Sequence, residues 1–416
     1  MKELRLNVDA ITPEASLVLQ LRAANETSLL RLKSFECSVS TTTSISFIPL
    51  FLSPRTTKIE IAFARDPPVV AVASIISMLP ILCPNLECVT LESLKRDPAI
   101  IDTVSEMLLA CNRDTLRVFK VDSPLTEEAR EVVCQLPRLS ELWMNIEGRT
   151  PLPPLALPNL IELDVGYDDH LDWLQGLRGA TFEKLKSISF HTPSESDQTG
   201  DILEALHDVG FVSSTQNTLS ELWLYTSCSW NPDYSLLLSF TQLQELNIDF
   251  ACDDVCSSRV DDDVIVTLTQ AMPKLQMLRL GRTPCGTPAG ATAHGLITLA
   301  SRCLHLSKLR IHFQGDSLVN AVATPPPVNQ PVVQQEGCDL TDLDVGDIPI
   351  PPRSATKVMA MLLQIFPRIT NVVYTNPEWM KVSRGIEDFR RTGVTQVRPT
   401  RSSPTSTDGR LIVGEN

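Results

Sequence analysis

The chain has 416 residues, 43% of them hydrophobic, and its 50 acidic and 36 basic side chains give a formal net charge of −14. This acidic balance disfavours nucleic acids and anionic membrane surfaces as partners, because both are bound largely through basic side chains. The longest apolar stretch, 69–82, is interrupted by Pro80 and is shorter than the about 20 residues that span a bilayer.

The N-terminal sequence, MKELRLNVDA, lacks the apolar run of a secretory signal. Several of the eleven cysteines occupy positions that suit a small buried hydrophobic residue, namely Cys37, Cys111, Cys134 and Cys303. Unpaired buried cysteines are typical of proteins in a reducing compartment. We therefore expect the protein in the cytoplasm or the nucleus.

A short apolar pattern recurs along the whole chain and is clear at Leu139-x-x-Leu142-x-Met144. Fourteen windows fit it, and they begin at Met1, Leu32, Thr56, Leu86, Leu116, Leu139, Leu160, Leu185, Leu219, Leu243, Leu275, Leu306, Leu340 and Ile369. From residue 1 to residue 369 there are 368 residues in 13 intervals, or about 28 residues each. A recurrence at this period indicates a solenoid.

Each window predicts a β-strand, because its last apolar residues alternate with variable ones. Between the windows the apolar period rises to about 3.6, which predicts helices at 99–110, 126–136, 201–209, 262–272, 293–303 and 354–366. The short unit from Leu139 to Leu160 contains three prolines, so we expect extended backbone or a 3₁₀ turn there. The predicted fold class is α/β, a solenoid curved as a horseshoe with parallel strands on the concave face and helices and irregular turns on the convex face.

The windows define one predicted domain, 1–391, of about fourteen units. Within it the segment 321–337, rich in proline and glutamine, predicts a flexible exposed loop. A last helix over 377–391, with Val382, Ile386 and Phe389 on its apolar side, is expected to cap the end of the array. The segment 392–416 is rich in Ser, Thr, Pro and Gly and predicts a disordered tail.

The strand phrases PNLIELDVGY, PKLQMLRLGRT and LHLSKLRIHF, with their irregular spacing, resemble the leucine-rich-repeat region of a large fungal F-box-type family over about residues 1–391. The resemblance implies a horseshoe fold and substrate recognition within a Skp–cullin–F-box ubiquitin ligase. No F-box is found, because the chain opens directly on a predicted strand. A Skp-type adaptor is therefore expected as a partner only if an F-box lies upstream.

One further departure from that family concerns the slot three residues after the third apolar residue. The consensus repeat places Asn or Cys there, forming a ladder that satisfies the backbone. Because this chain lacks the ladder, we expect its curvature and regularity to differ from the consensus. The slot holds, among others, Asp9, Ser40, Glu147, Asp168, Ser227 and Thr283.

No catalytic motif is present: the sequence has no phosphate-binding loop with its lysine, no G-x-S-x-G elbow and no H-E-x-x-H helix. Cys252 and Cys256 lack a second pair at zinc spacing, and the six histidines do not cluster with carboxylates at ligand spacing. The acidic run 261–263 is better explained as a helix cap than as a calcium loop. We therefore predict no catalytic residue, no cofactor and no metal, and a protein that is not an enzyme.

The remaining candidate is the concave face, where the variable strand residues point away from the core. Exposed tryptophans beside charges are typical of binding hot spots. The alternative is that these charges solvate the face and that neighbours cover each tryptophan. The predicted partner-binding residues are Glu141, Trp143, Asp164, Glu221, Trp223, Tyr225, Glu245, Asp249, Arg279 and Arg310.

Two functions follow from this face. The first is a non-catalytic protein–protein recognition module that serves as the substrate-recognition part of an F-box-type ubiquitin ligase receptor. The alternative is a leucine-rich-repeat enzyme regulator, inhibitor or scaffold without a ubiquitin link. In both cases we expect a protein partner, with a basic surface to match the acidic middle units.

Overall fold

The computed structural model describes residues 3–7, 32–39, 41–63, 67–148, 151–167, 172–178, 180–191, 199–227, 233–251, 260–281, 290–321 and 338–392. Several expectations from the sequence lie outside these residues and stay predictions. They concern the 321–337 loop after Ala321, the tail after Thr392, and the pair Cys252 and Cys256.

The described strands form a single parallel sheet of fourteen strands whose order in space is their order in sequence. This arrangement confirms the predicted α/β solenoid of stacked leucine-rich units. The strands are β1 Glu3–Asn7, β2 Ser34–Val39, β3 Lys58–Phe63, β4 Cys88–Glu92, β5 Val118–Pro124, β6 Glu141–Ile146, β7 Glu162–Tyr167, β8 Ser187–His191, β9 Glu221–Ser227, β10 Glu245–Ala251, β11 Met277–Leu280, β12 Lys308–Ile311, β13 Asp342–Gly346 and β14 Asn371–Tyr374.

Helices connect most of these strands. The α-helices are α1 Thr42–Phe47, α2 Val69–Leu82, α3 Pro98–Ala110, α4 Glu127–Val133, α5 Thr199–Leu206, α6 Val209–Thr215, α7 Asp262–Ala271, α8 Ala293–Arg302, α9 Gly315–Ala321, α10 Ala355–Ile365 and α11 Glu378–Thr392. Short 3₁₀ helices lie at Ile48–Phe51, Asp172–Gly176 and Tyr234–Leu237. None of the helices within these ranges combines the length and apolarity needed to cross a bilayer.

Two predicted helices differ from the structure. The single helix expected at 201–209 is two helices, because Asp208 begins a new one by accepting a hydrogen bond from Gly210 N at 2.9 Å. The helix expected at 126–136 ends at Val133, and its last turn tightens into i→i+3 hydrogen bonds such as Leu136 N to Val133 O at 3.4 Å. The segment 151–160 has no helix, as predicted.

The apolar residues of the repeated windows hold the units together. Leu142 lies beside Leu163, and Leu163 beside Ile188, in the register of the parallel sheet, and all three are fully buried. Burying a side chain of this size contributes about 1.5–3 kcal/mol. The same contact repeats from unit to unit, so the core is one continuous cluster from Leu32 to Ile386.

Backbone hydrogen bonds at the starts of the strands also connect each unit to the next. Ser140 N and Glu141 N both donate to Arg117 O, at 2.7 and 3.1 Å, and Ser140 O accepts in the same way from the next unit. The arrangement recurs from Thr57 to Asn371. Strand pairing therefore stays continuous without the consensus ladder, with register shifts only between Lys120 and Pro124 and between Asp344 and Gly346 among the described strands.

Helix α11 packs against β14 and α10 at the C-terminal end of the sheet. Its Trp379 is fully buried, donates from Nε1 to Ile348 O at 2.7 Å, and meets Phe313 edge to face at 6.2 Å. Val382 and Ile386 are buried on the same side of the helix.

Candidate functional site

One side of the sheet remains accessible over most of the described strands. In β6 the side chains of Leu142, Met144 and Ile146 are buried, whereas Glu141 and Trp143 are half-buried on the opposite side. This alternation follows from the strand pleat and recurs in most described strands. We call this second side the open face, and all of the predicted partner-binding residues lie on it.

The parallel register arranges the open face into three rows that run across the strands. The first row is Glu141, Glu162, Ser187, Glu221 and Glu245. The middle row is Trp143, Asp164, Ser189, Trp223, Asn247, Arg279 and Arg310. The third row is Asn145, Gly166, His191, Tyr225 and Asp249.

Strand β8 contributes small residues to this face, and a trough of about 480 Å³ lies over it. Ser187 and Ser189 form its floor, because their side chains are shorter than those of both neighbouring strands. The walls are formed by Glu162 and Asp164 on β7 and by Glu221, Trp223 and Tyr225 on β9.

A histidine, a carboxylate and a tyrosine meet at one end of the trough. His191 Nε2 lies 3.2 Å from Asp164 Oδ1, and the imidazole stacks on Tyr225 with ring centroids 4.4 Å apart. This contact does not have the geometry of a hydrogen bond, and Asp164 Oδ1 is buried with no hydrogen-bond partner among the described residues. The sequence spacing did not reveal this pair, which forms because the sheet brings β7 and β8 side by side.

Tyr225 also joins this end of the trough to the next strands. Its ring lies 6.3 Å from that of Trp223, and Asn247 Nδ2 donates to its hydroxyl at 3.4 Å. Burial, together with the negative charge of Asp249, raises the pKa of Tyr225. The phenol therefore stays neutral, and His191, Tyr225 and Trp223 form a continuous aromatic platform.

Lys120, on β5, was not among the predicted residues. Its Nζ lies 2.8 Å from Glu141 Oε2 and 3.2 Å from Glu162 Oε1, so it bridges two strands of the first row. Burial alone would lower the pKa of Lys120, but the hydrogen bond to Glu141 and the charge of Glu162 outweigh it and raise the pKa. The single charge of Lys120 therefore offsets only one of the two negative charges of Glu141 and Glu162.

The acidic row continues onto β9 and β10, where no lysine bridge is found among the described residues. Glu221 and Glu245 lie side by side on β9 and β10. Burial, reinforced by repulsion from Glu221 and only partly opposed by the charges of Lys308 and Arg279, raises the pKa of Glu245. Like charges in register are unfavourable in the free protein, so this part of the face gains from an approaching positive charge.

The structure separates some residues that the sequence grouped. Trp143 and Trp223 lie three strands apart, which corresponds to about 14 Å of backbone spacing, and the trough lies between them.

Arg310 pairs with Asp344 across β12 and β13, with Nε 3.5 Å from Oδ2. Arg279 is the neighbour of Arg310 in the middle row. The basic residues therefore follow directly after the acidic part of the open face, and the charge of Arg279 reaches Glu245 and Tyr225.

Within the ranges described above, no three His, Cys, Asp or Glu side chains converge as metal ligands.

No protein-family model and no curated protein sequence matches this chain. Solved structures resemble it in fold at low identity. The yeast Rad7 and Elc1 complex is 15% identical with a TM-score of 0.46, covering 89% of this chain and 84% of that one. An internalin (inlF) of Listeria monocytogenes is 11% identical, with a TM-score of 0.42 and coverage of 92% and 96%. A TDR receptor is 12% identical, with a TM-score of 0.29 and coverage of 90% and 69%.

Proposed function

We propose that this chain is a non-catalytic recognition module that binds a protein partner on the open face, the concave side of the horseshoe. The observation that carries the proposal is the aromatic platform of His191, Tyr225 and Trp223 beside the trough over β8. Half-buried aromatic side chains surrounded by polar groups are the usual centre of a protein–protein interface.

The charge of this surface supports a basic partner. The first row presents Glu221 and Glu245 in register, and the pKa of Glu245 is raised by burial and by this neighbour. Asp164 adds a third carboxylate in the trough wall. Complementary charge would speed association and favour partners with a positive patch.

The experiment is site-specific photo-crosslinking on the full chain. A benzophenone amino acid at Ser189, in the trough, is compared with one at Ser77, on the exposed side of helix α2. A protein captured only from Ser189 is then purified and titrated against the chain. We expect Trp223→Ala to weaken that binding at least about tenfold, the loss of a hot spot of roughly 1.4 kcal/mol or more.

A matched control tests the opposite surface. Ile81 is an apolar residue on helix α2, 78% exposed and remote from the open face. Ile81→Ala should leave the affinity unchanged. Equal weakening by Ile81→Ala, or no weakening by Trp223→Ala, would place the interface elsewhere and contradict the proposal.

We propose as the finer role the selection of a substrate for a ubiquitin ligase, on the basis of the F-box-family resemblance of the strand phrases. The acidic first row also suits an alternative role, inhibition of an enzyme with a basic surface. Deleting the gene separates the two roles. A ligase substrate should accumulate when this chain is removed, whereas an inhibited enzyme should keep its abundance and lose activity when the purified chain is added.

A further inference from the structure

The geometry points to an arginine side chain as the part of the partner that enters the trough, with its guanidinium between Asp164 and Trp223. This inference rests on the proposed function and names the chemistry that the open face recognises. It differs from a general preference for basic partners, because it assigns one side chain to one place on the sheet.

The dimensions of the trough suit a flat, extended side chain. Asp164 on β7 and Trp223 on β9 are two strands apart, about 10 Å between backbones, and Ser189 lies between them in the same row. The short serine leaves depth, while the carboxylate and the indole form opposite walls. A long side chain with a planar end can lie in this space without displacing a core residue.

The unbalanced negative charge lies at the same place. On the β7 side Lys120 is shared by Glu141 and Glu162, so it offsets the charge of Glu162 only in part. About a quarter of the Asp164 side chain is exposed; its Oδ1 is buried 3.2 Å from His191 Nε2 without forming a hydrogen bond, so the exposed part of the carboxylate is the part that a ligand can reach. Glu221 makes no salt bridge in the part of the chain that the structure describes. Two carboxylates therefore face the trough with charge that a ligand cation can balance.

The aromatic wall favours arginine over lysine. A guanidinium can stack on the indole of Trp223 while its N–H groups donate to a carboxylate, whereas an ammonium is a strongly hydrated point charge. The exposed Lys186 stands at the strand-start rim of the trough. Its charge repels a cation there and leaves the opposite half, beside Asp164 and Tyr225, as the favourable position.

The test uses the full chain labelled with 5-fluorotryptophan and observed by fluorine NMR. The five tryptophans give separate signals, and Trp223→Phe identifies the one that matters. The probes are acetylated and amidated Gly-Arg-Gly, its lysine analogue and its citrulline analogue, which keeps the shape without the charge. We expect the arginine peptide to shift the Trp223 signal with a dissociation constant in about the millimolar range, lysine to act more weakly, and citrulline not to act.

Conservative variants then test the carboxylates. Asp164→Asn and, separately, Glu221→Gln should each weaken the arginine peptide about fivefold or more, the loss of one charge-assisted contact. Glu60→Gln is the matched control, because Glu60 lies on β3, far from the trough on the same side of the sheet, and pairs with Lys58. It should leave the titration unchanged.

Three outcomes overturn the inference: no shift of the Trp223 signal, an equal response to citrulline, or an equal response to lysine. Each can be told apart from failure of the proposed function. If the crosslinked partner still binds through Trp223 while the arginine peptide does not, recognition by the open face stands and the arginine assignment falls. If neither binds, both fall.

Discussion

Asp262, the first residue of helix α7, accepts hydrogen bonds from both the backbone N–H and the hydroxyl of Thr292, at 2.8 and 2.6 Å. Gly295 N donates to the same carboxylate at 3.1 Å. Thr292 is the N-cap of helix α8 in the next unit. One unit therefore supplies the hydrogen-bond acceptor that the start of the following helix needs, which couples neighbouring units by polar contacts as well as by the core.

Asp262→Ala should lower stability by about 2–3 kcal/mol, because it leaves two N–H groups and a hydroxyl without their charged acceptor. The measurement is the urea midpoint of the full chain, followed by circular dichroism. Asp263→Ala is the matched control: Asp263 occupies the same helical turn but is exposed, and its loss should cost less than about 0.5 kcal/mol. Equal midpoints for the two variants would mean that Asp262 does not couple the units.

Replacing Gly315 by alanine should lower the stability of the fold, whereas replacing Gly385 by alanine should not. A Cβ at Gly315 would collide with the backbone oxygen of Pro349 and lie 2.8 Å from Ile350 Cγ2, and the backbone cannot move aside easily. A Cβ at Gly385 would meet only the end of the flexible Met359 side chain. We expect Gly315→Ala to destabilise by about 1–3 kcal/mol.

Gly385→Ala should be neutral or stabilising by up to about 1 kcal/mol, because alanine favours the interior of helix α11. Thermal unfolding of both variants beside the parent chain gives the comparison. A loss of stability in Gly385→Ala as large as that in Gly315→Ala would show that the Met359 side chain is held as firmly as backbone.

The repeat was predictable because apolar spacing records burial directly. Leu142 and Leu163 are each the second apolar residue of their window, and the structure places them side by side with both fully buried. The helix boundaries were less predictable. At 201–209 the break depends on a side-chain cap from Asp208, and the apolar period that indicated the helix does not register such a polar contact.

The site was only partly predictable, because it depends on neighbours across units of unequal length. His191 and Asp164 are distant in sequence, so ligand spacing within a segment could not reveal that they approach to 3.2 Å. Lys120 was missed for the same reason, since it reaches Glu162 two strands away. The sequence did contain evidence for the trough. Aligning the windows position by position puts Ser189 between the larger residues Asp164 and Trp223.

Trp379→Phe should loosen helix α11 while leaving the rest of the array folded. The change removes the donor to Ile348 O in a fully buried place, and an unmade buried hydrogen bond costs about 1–3 kcal/mol. Hydrogen exchange should therefore speed up in 378–392 more than in the central strands. Trp143→Phe, at a half-buried position of the open face, is the matched control, and equal acceleration in both variants would contradict the assignment.

His312 should make stability depend on pH. Burial lowers the pKa of His312 below its ordinary value of 6.5, against a smaller opposing attraction from Asp347. Between the lowered pKa and 6.5 the unfolded chain binds more protons than the folded one, so stability is lost as pH falls below about 6.5.

His312→Gln removes this linkage, so the fall in the urea midpoint between about pH 7.5 and about pH 5.5 should be smaller in the variant than in the parent chain. Substituting the exposed His294 in the same way should leave the fall as it is in the parent. A steeper fall in His312→Gln would mean that the folded state favours the charged imidazole.

Cys134 should report whether the helix-free unit opens. The thiol is fully buried, and the backbone oxygen of Cys134 accepts from Ala156 N, in the extended segment, at 3.0 Å. Burial raises the pKa of Cys134 to about 12, and the thiolate is the reactive form of a cysteine. Iodoacetamide at about pH 8 should therefore leave this residue unmodified until urea unfolds the chain.

Peptide mass spectrometry measures the modification. Cys88 is the internal comparison, because its pKa is raised to about 11 and it is 9% exposed. Labelling of Cys134 in the folded chain at the rate of a free thiol would contradict the prediction, because a fully buried thiol reacts only when the packing around it opens.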